Sequence, residues 1–145
     1  LIRERIESGD VEGAASMLGR PYEMEGVVVP GDGRGRRLGV PTANVSYPAV
    51  LTVPMEGVYA AVVGIDGSDH RGVVNLGVRP TFDGTERVLE VHVIDYDRNL
   101  YGKQIRIGFV RRIRDERRFA SIDQLLTQIH ADVQVASRIL DEQTS

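Results

Sequence analysis

The stretch GVYAAVVGIDGSDHRGVVNL, residues 57–76, carries two β-like apolar runs, at 57–64 and 72–76, on either side of Asp66-Gly67. An Asp-Gly pair between such runs predicts a tight hairpin, because both central turn positions need positive φ. The chain then reverses with no helix in between, so the strands are antiparallel. Working outward, further β-like runs stand at 22–29, 87–96 and 104–110. Asp83-Gly84 fits a second hairpin, and the polar bend at 97–102 ends a strand. Short strands at this spacing predict an antiparallel barrel or sandwich and argue against a Rossmann-type parallel sheet.

The two ends of the chain read differently. Ile2 and Ile6 lie at helical spacing before Gly9, and Asp10 can cap a second short helix closed by Gly19. Residues 1–19 are therefore expected to be a helical linker. Leu1 is not an initiator Met, and the helical start predicts a piece of a longer protein. At the other end Ser121 and Gln124 make a capping box. Ile122, Leu125, Leu126, Ile129, Val133 and Ala136 follow as one apolar stripe, so an amphipathic helix is expected to pack on the barrel.

The chain of 145 residues has room for one domain with a proper core and contains no cysteine, which excludes thiol catalysis, thiolate metal sites and a disulfide framework. A cytoplasmic setting fits that composition. His70, His92 and His130 lack ligand spacing. No apolar run approaches the roughly 20 residues of a membrane helix, and no signal-peptide pattern opens the chain, so no membrane partner is expected. A net charge of −3 with few aromatics argues against a general nucleic-acid binder.

Positive charge is instead local. Residues 31–44 read GDGRGRRLGVPTAN, with glycines at 31, 33, 35 and 39 and arginines at 34, 36 and 37. Glycine lets backbone N–H groups curve around an anion, so this segment reads either as a phosphate-holding loop or as a solvated surface turn. Neither a P-loop nor GxGxxG is present, so a phosphate cradle here is of another type. Mg²⁺ suits it, since that ion asks a protein for only one or two oxygen ligands. Thr42 and Asn44 can supply them; equally, Pro-Thr-Ala-Asn can be a turn closed by side-chain to backbone bonds.

Two further segments carry chemistry. In VLEVHVI, residues 88–94, strand alternation places Glu90 and His92 on one face with Val88 and Ile94. Glu90 is a candidate general base if that face lines a cleft, and a solvated charge if it faces water. RRIRDERRF, residues 111–119, reads as a solvated charge run; alternatively, Arg114 and Phe119 border a flat aromatic ligand at the entrance of the last helix.

In combination, GRGRRLGVPTAN (33–44), GVYA (57–60), NLGVRPTF (75–82), LEVHVIDYDRNLYG (89–102) and RDERRF (114–119) resemble the riboflavin kinases. The likeness is to the kinase module of the bacterial bifunctional riboflavin kinase/FMN adenylyltransferases (FAD synthetases), over roughly residues 20 to 140. It implies a mainly β fold, a six-stranded antiparallel Greek-key barrel with a C-terminal helix. The implied division is a linker at 1–19, left from an upstream adenylyltransferase module, and a kinase domain at 20–145. The implied reaction moves the γ-phosphate of ATP to the ribityl 5′-hydroxyl of riboflavin, giving FMN and ADP with Mg²⁺ as cofactor; no adenylyltransferase activity is expected here. By that resemblance Gly33, Arg34, Gly35, Arg36, Gly39, Pro41 and Thr42 wrap the ATP phosphates, and Leu100 and Gly102 border the adenine. Thr42 and Asn44 sit at the metal, Glu90 is the base, and Arg114, Phe119 and Leu126 face the flavin. The alternative is a non-catalytic barrel that holds flavin or nucleotide for a neighbouring domain.

Overall fold

The Asp66-Gly67 hairpin forms as the sequence predicts. Ile65 pairs with Ser68, and the two turn residues take φ of 52° and 83°. Both values suit the primed turn that matches the right-handed twist of its strands, and Gly67 has no Cβ to strain there. The computed structural model describes residues 1–30, 42–96, 98–117 and 119–144. In chain order the elements are α1 (Ile2–Glu7), α2 (Val11–Leu18), β1 (Tyr22–Val29), β2 (Ala43–Ser46), β3 (Gly57–Ile65), β4 (Ser68–Thr81), β5 (Gly84–Val93), β6 (Gln104–Arg114) and α3 (Ile122–Thr144).

The six strands close into an antiparallel barrel in the order β1-β2-β5-β4-β3-β6. Strands β3, β4 and β5 form a meander. The β2-to-β3 and β5-to-β6 connections each pass over two strands, which is the Greek-key arrangement the resemblance implied. Strand alternation sends one set of side chains inward: Val28, Val45, Tyr59, Ala61, Val63, Val74, Leu76, Leu89, Val91, Ile105, Ile107 and Phe109 fill the barrel. Tyr59 meets Phe109 edge-on, with ring centroids 5.3 Å apart, and its hydroxyl donates to Met55 O at 2.5 Å. The polar tip of a buried tyrosine is thereby satisfied.

Helices cover the barrel in two places. The Asp10 carboxylate accepts from Gly13 N at 2.9 Å and caps α2, whose Val11 belongs to the barrel core. Residues 1–19 are helical as expected, and they pack on the barrel: Ile6 is buried and its carbonyl accepts from Met55 N. Elsewhere on the barrel Ala136, Ile139 and Leu140 of α3 bury against Ala60 and Val110.

The structure differs from the sequence reading in four elements. Strand β4 spans 68–81 rather than 72–76, and because Thr81 pairs with Gly84 the turn after it is Phe82-Asp83 rather than Asp83-Gly84. Strand β6 runs four residues further than expected, through Arg111 to Arg114, pairing with β3 across two register shifts. A run of arginines can be strand here because their heads find partners. Arg112 Nη2 donates to Glu56 O at 2.6 Å and lies 2.8 Å from Asp115 Oδ1. Strand β5 spans 84–93 rather than 87–96, since Asp95 turns the chain with φ of 57°. In α3 the predicted stripe is buried only toward its end: Ile122 is exposed, Leu125, Leu126 and Ile129 are half-buried, and the buried residues are Asp132, Ala136, Ile139 and Leu140. The first half of that helix is held by polar contacts instead. Gln124 N donates to Ser121 Oγ at 3.2 Å, while the Gln124 side chain reaches back to Ala120 N.

Candidate active site

Leu89 and Val91 are 2% and 1% exposed and point into the barrel, so Glu90 between them points out. Residues paired across antiparallel strands share a face. Asn44 of β2 pairs with Glu90 of β5, and Glu90 pairs with Asn75 of β4. The row continues through Val58 of β3 to Arg114 of β6. The outer face therefore carries Asn44, Glu90 and Asn75 side by side. Thr42, just before β2, donates from Oγ1 to Glu90 Oε2 at 3.4 Å.

Thr42, Asn44 and Glu90 are thus brought together, and their donors are all oxygen. Such a set fits a hard cation that keeps most of its waters and takes one or two protein ligands. Among the described residues no cluster of three or more His, Cys, Asp or Glu offers a competing metal site. Of the expected phosphate-binding residues, Gly33, Arg34, Gly35, Arg36, Gly39 and Pro41 lie outside the described residues. The elements beside them are described. Val29 pairs with Asn44, while Gly102 N donates to Val28 O and Val28 N to Lys103 O, both at 2.9 Å. The bend carrying Leu100 and Gly102 is therefore fastened to the same end of β1 that leads into residues 31–41. Gly102 adopts φ of 80°, which a side chain would resist, and Leu100 buries in the barrel core.

Arg114 is fully engaged. Its Nε donates to Asp132 Oδ1 at 3.0 Å, Nη2 to Asp132 Oδ2 at 2.8 Å, and Nη1 to Asp115 O at 2.9 Å. Asp132 is 3% exposed, and Gln128 Nε2 donates to it at 3.0 Å. A bidentate pair of this kind fixes α3 against the end of β6. The Arg114 guanidinium also lies 5.8 Å from the Phe119 ring centroid, with that of Arg117 at 5.2 Å. Phe119 and Leu126 are both half-buried.

Sequence reasoning missed Asn75, Glu116 and Asp132. Asn75 Oδ1 is buried with no hydrogen-bond partner. An orphaned buried acceptor costs about 1–3 kcal/mol, so its retention calls for a reason. Burial raises the Glu116 carboxyl above its usual range; the Asn75 hydrogen bond and the Arg114 charge oppose the shift, and Glu90 and Glu56 add to it. Glu116 lies over β4 at Gly77, where a Cβ would collide with Glu116 Oε2. No spacing rule pairs residues 75 and 116; the one available signal was that each stands inside a stretch that carries the resemblance. A cavity of about 440 Å³ reaches Asp115 and Glu116 from the barrel end, where Val53, Met55 and Arg112 line it.

The protein is a closed Greek-key barrel whose outer face carries neighbouring oxygen-bearing side chains, and comparison with known proteins narrows its class. The profile of the riboflavin kinase (flavokinase) family matches residues 18–140. The bifunctional riboflavin kinase/FMN adenylyltransferase of Bacillus subtilis (strain 168) is 42% identical over 140 residues, 94% of this chain and 44% of that protein. The Escherichia coli (strain K12) protein of the same name is 42% identical over 132 residues, covering 90% and 42%. The chain therefore spans less than half the length of these curated relatives. A crystal structure described as a macrolide-efflux protein from Streptococcus pneumoniae superposes with a TM-score of 0.90 at 38% identity, over 94% of this chain and 45% of that one. Efflux is said of that protein; among the described residues here no helix is long and apolar enough to cross a membrane. Riboflavin kinase from Trypanosoma brucei, at 22% identity and a TM-score of 0.61 over 84% and 78% of the two chains, shares the fold. The chain belongs to the riboflavin kinase family.

Proposed function

We propose that this chain is an ATP:riboflavin 5′-phosphotransferase, giving FMN and ADP. The observation that carries the reading is the meeting of Thr42, Asn44 and Glu90 on one outer face, with Thr42 Oγ1 3.4 Å from Glu90 Oε2; membership of the family supports the reaction. Glu90 accepts the proton of the ribityl 5′-hydroxyl as that oxygen forms a bond to the γ-phosphorus. The bond from the γ-phosphorus to the β,γ-bridging oxygen breaks, and ADP leaves with the electron pair. Thr42 and Asn44 would hold Mg²⁺, which supplies charge neutralisation at the transferring phosphate. The protein's contribution is then mostly positioning and electrostatic stabilisation.

In the same reading residues 33–42 wrap the ATP phosphates and the bend at Leu100 and Gly102 borders the adenine. Phe119 and Leu126 face the isoalloxazine ring, with Arg114 holding that wall in place. The names of the relatives support an FMN adenylyltransferase module as a neighbour of residues 20–145 in the whole protein, with 1–19 as the connection. Chromatography of riboflavin incubated with MgATP and the purified chain tests the reading. FMN formation is the expected result, and saturable flavin binding with no FMN would replace it with the non-catalytic barrel.

A further inference from the structure

Asn75 is a polar group on this face that the proposed reaction leaves unused. The Glu116 carboxylate lies over the same stretch of β4, and Asn75 Oδ1 is buried without a partner. Gly77, two residues along β4, leaves the space in which the Glu116 carboxylate lies. Asn75 also pairs in register with Glu90, so the two acceptors occupy neighbouring strands on one face. A polyol presents hydroxyls on neighbouring carbons. Two adjacent acceptors, one of them ready to take a proton, match two adjacent hydroxyls, one of which is to react.

We propose that Asn75 positions the ribityl chain: its Oδ1 accepts a hydrogen bond from the 4′-hydroxyl while Glu90 addresses the 5′-hydroxyl, and Glu116 keeps the amide oriented for that contact. The inference deepens the kinase reading and rests on it. Asn75 is a substrate-positioning residue and a determinant of specificity for a hydroxylated chain.

The test compares riboflavin with 4′-deoxyriboflavin in the unaltered chain, Asn75→Ala and Asn75→Ser, each checked for an unchanged far-UV circular dichroism spectrum. One lost hydrogen bond corresponds to about a fivefold to tenfold change. The unaltered chain should lose roughly that factor in kcat/KM on the deoxy substrate. Asn75→Ala should lose it on riboflavin and nothing more on the deoxy analogue, with KM for ATP unmoved. Asn75→Ser, a shorter acceptor, should restore part of the discrimination. Equal losses on both flavins, leaving the original ratio intact, would overturn the proposal. Riboflavin and deoxyriboflavin affinities from quenching of flavin fluorescence carry the same comparison independently of turnover. Binding that discriminates without any FMN forming would keep the role of Asn75 and reject the kinase, whereas turnover without discrimination would do the reverse.

Discussion

Glu90 and Glu116 are two carboxyls near one face with different surroundings. Burial dominates at Glu116 and raises its pKa above the ordinary 4.5. A raised folded-state value means that the native chain binds the proton more tightly than the unfolded chain does. The corresponding stability is present below about pH 4.5 and is lost as pH rises through the shifted value. Glu116→Gln should therefore gain unfolding free energy relative to the unaltered chain at pH 7 compared with pH 4; urea melts giving the same difference at both pH values would contradict it. At Thr42 the prediction concerns the metal. Thr42→Ala removes one proposed oxygen ligand, so the Mg²⁺ concentration for half-maximal rate and KM for ATP should rise together. An unaltered Mg²⁺ dependence would leave Thr42 as a partner of Glu90 only. Thr42, Asn44 and Glu90 were candidates on their residue types, each with a plain turn or solvated-strand alternative, and it was the family resemblance that singled out the three together. Asn75 and Glu116 were not, because the register of β4 against β5 and the return of the chain after β6 bring them to the site, and sequence spacing encodes neither.

Elements were read where a local signal exists. The hairpin at Asp66-Gly67 rests on turn residues that accept positive φ, and the Asp10 cap and the Ser121 start of α3 rest on side-chain to backbone bonds three residues apart. Strand ends were read less well. The arginines of β6 look like a solvated run, since nothing local says that Glu56 and Asp132 will meet them. The ion pair between Arg114 and Asp132 is the clearest case. It joins β6 to the middle of α3, upstream of the helix's apolar contacts, and so holds the half-buried wall formed by Leu125, Leu126 and Ile129. Removing one partner strands a mostly buried guanidinium. Asp132→Ala should cost roughly 3 kcal/mol or more in a urea melt. The paired change Arg114→Leu with Asp132→Leu should recover much of that, and a single variant as stable as the unaltered chain would show that α3 does not depend on the pair.

At the scale of the whole molecule one continuous buried cluster fills the barrel. Phe109 lies at its centre, edge-on to Tyr59 and stacked with Tyr22 at 6.4 Å. Phe109→Ala should destabilise by about 3–5 kcal/mol through lost burial and the cavity left behind. A loss below about 1 kcal/mol would mean that the barrel closes over the gap. Closure also matters for the proposed function, because four-residue β2 joins β1 to β5 and carries Asn44 to Glu90. The antiparallel, helix-poor pattern was readable from turn residues and alternation, whereas the position of β2 beside β5 was not, since no local signal sets a pairing between strands so far apart in the chain. The central claim is that this face transfers phosphate with Glu90 as base, and it is tested most directly by single-turnover FMN formation in the unaltered chain, in Glu90→Gln and after chelation of Mg²⁺. The account predicts that Glu90→Gln lowers the rate by about 10²–10⁴ with ATP affinity by calorimetry preserved, and that chelation stops turnover. Unchanged turnover in Glu90→Gln, accompanied by lost ATP affinity, would contradict it.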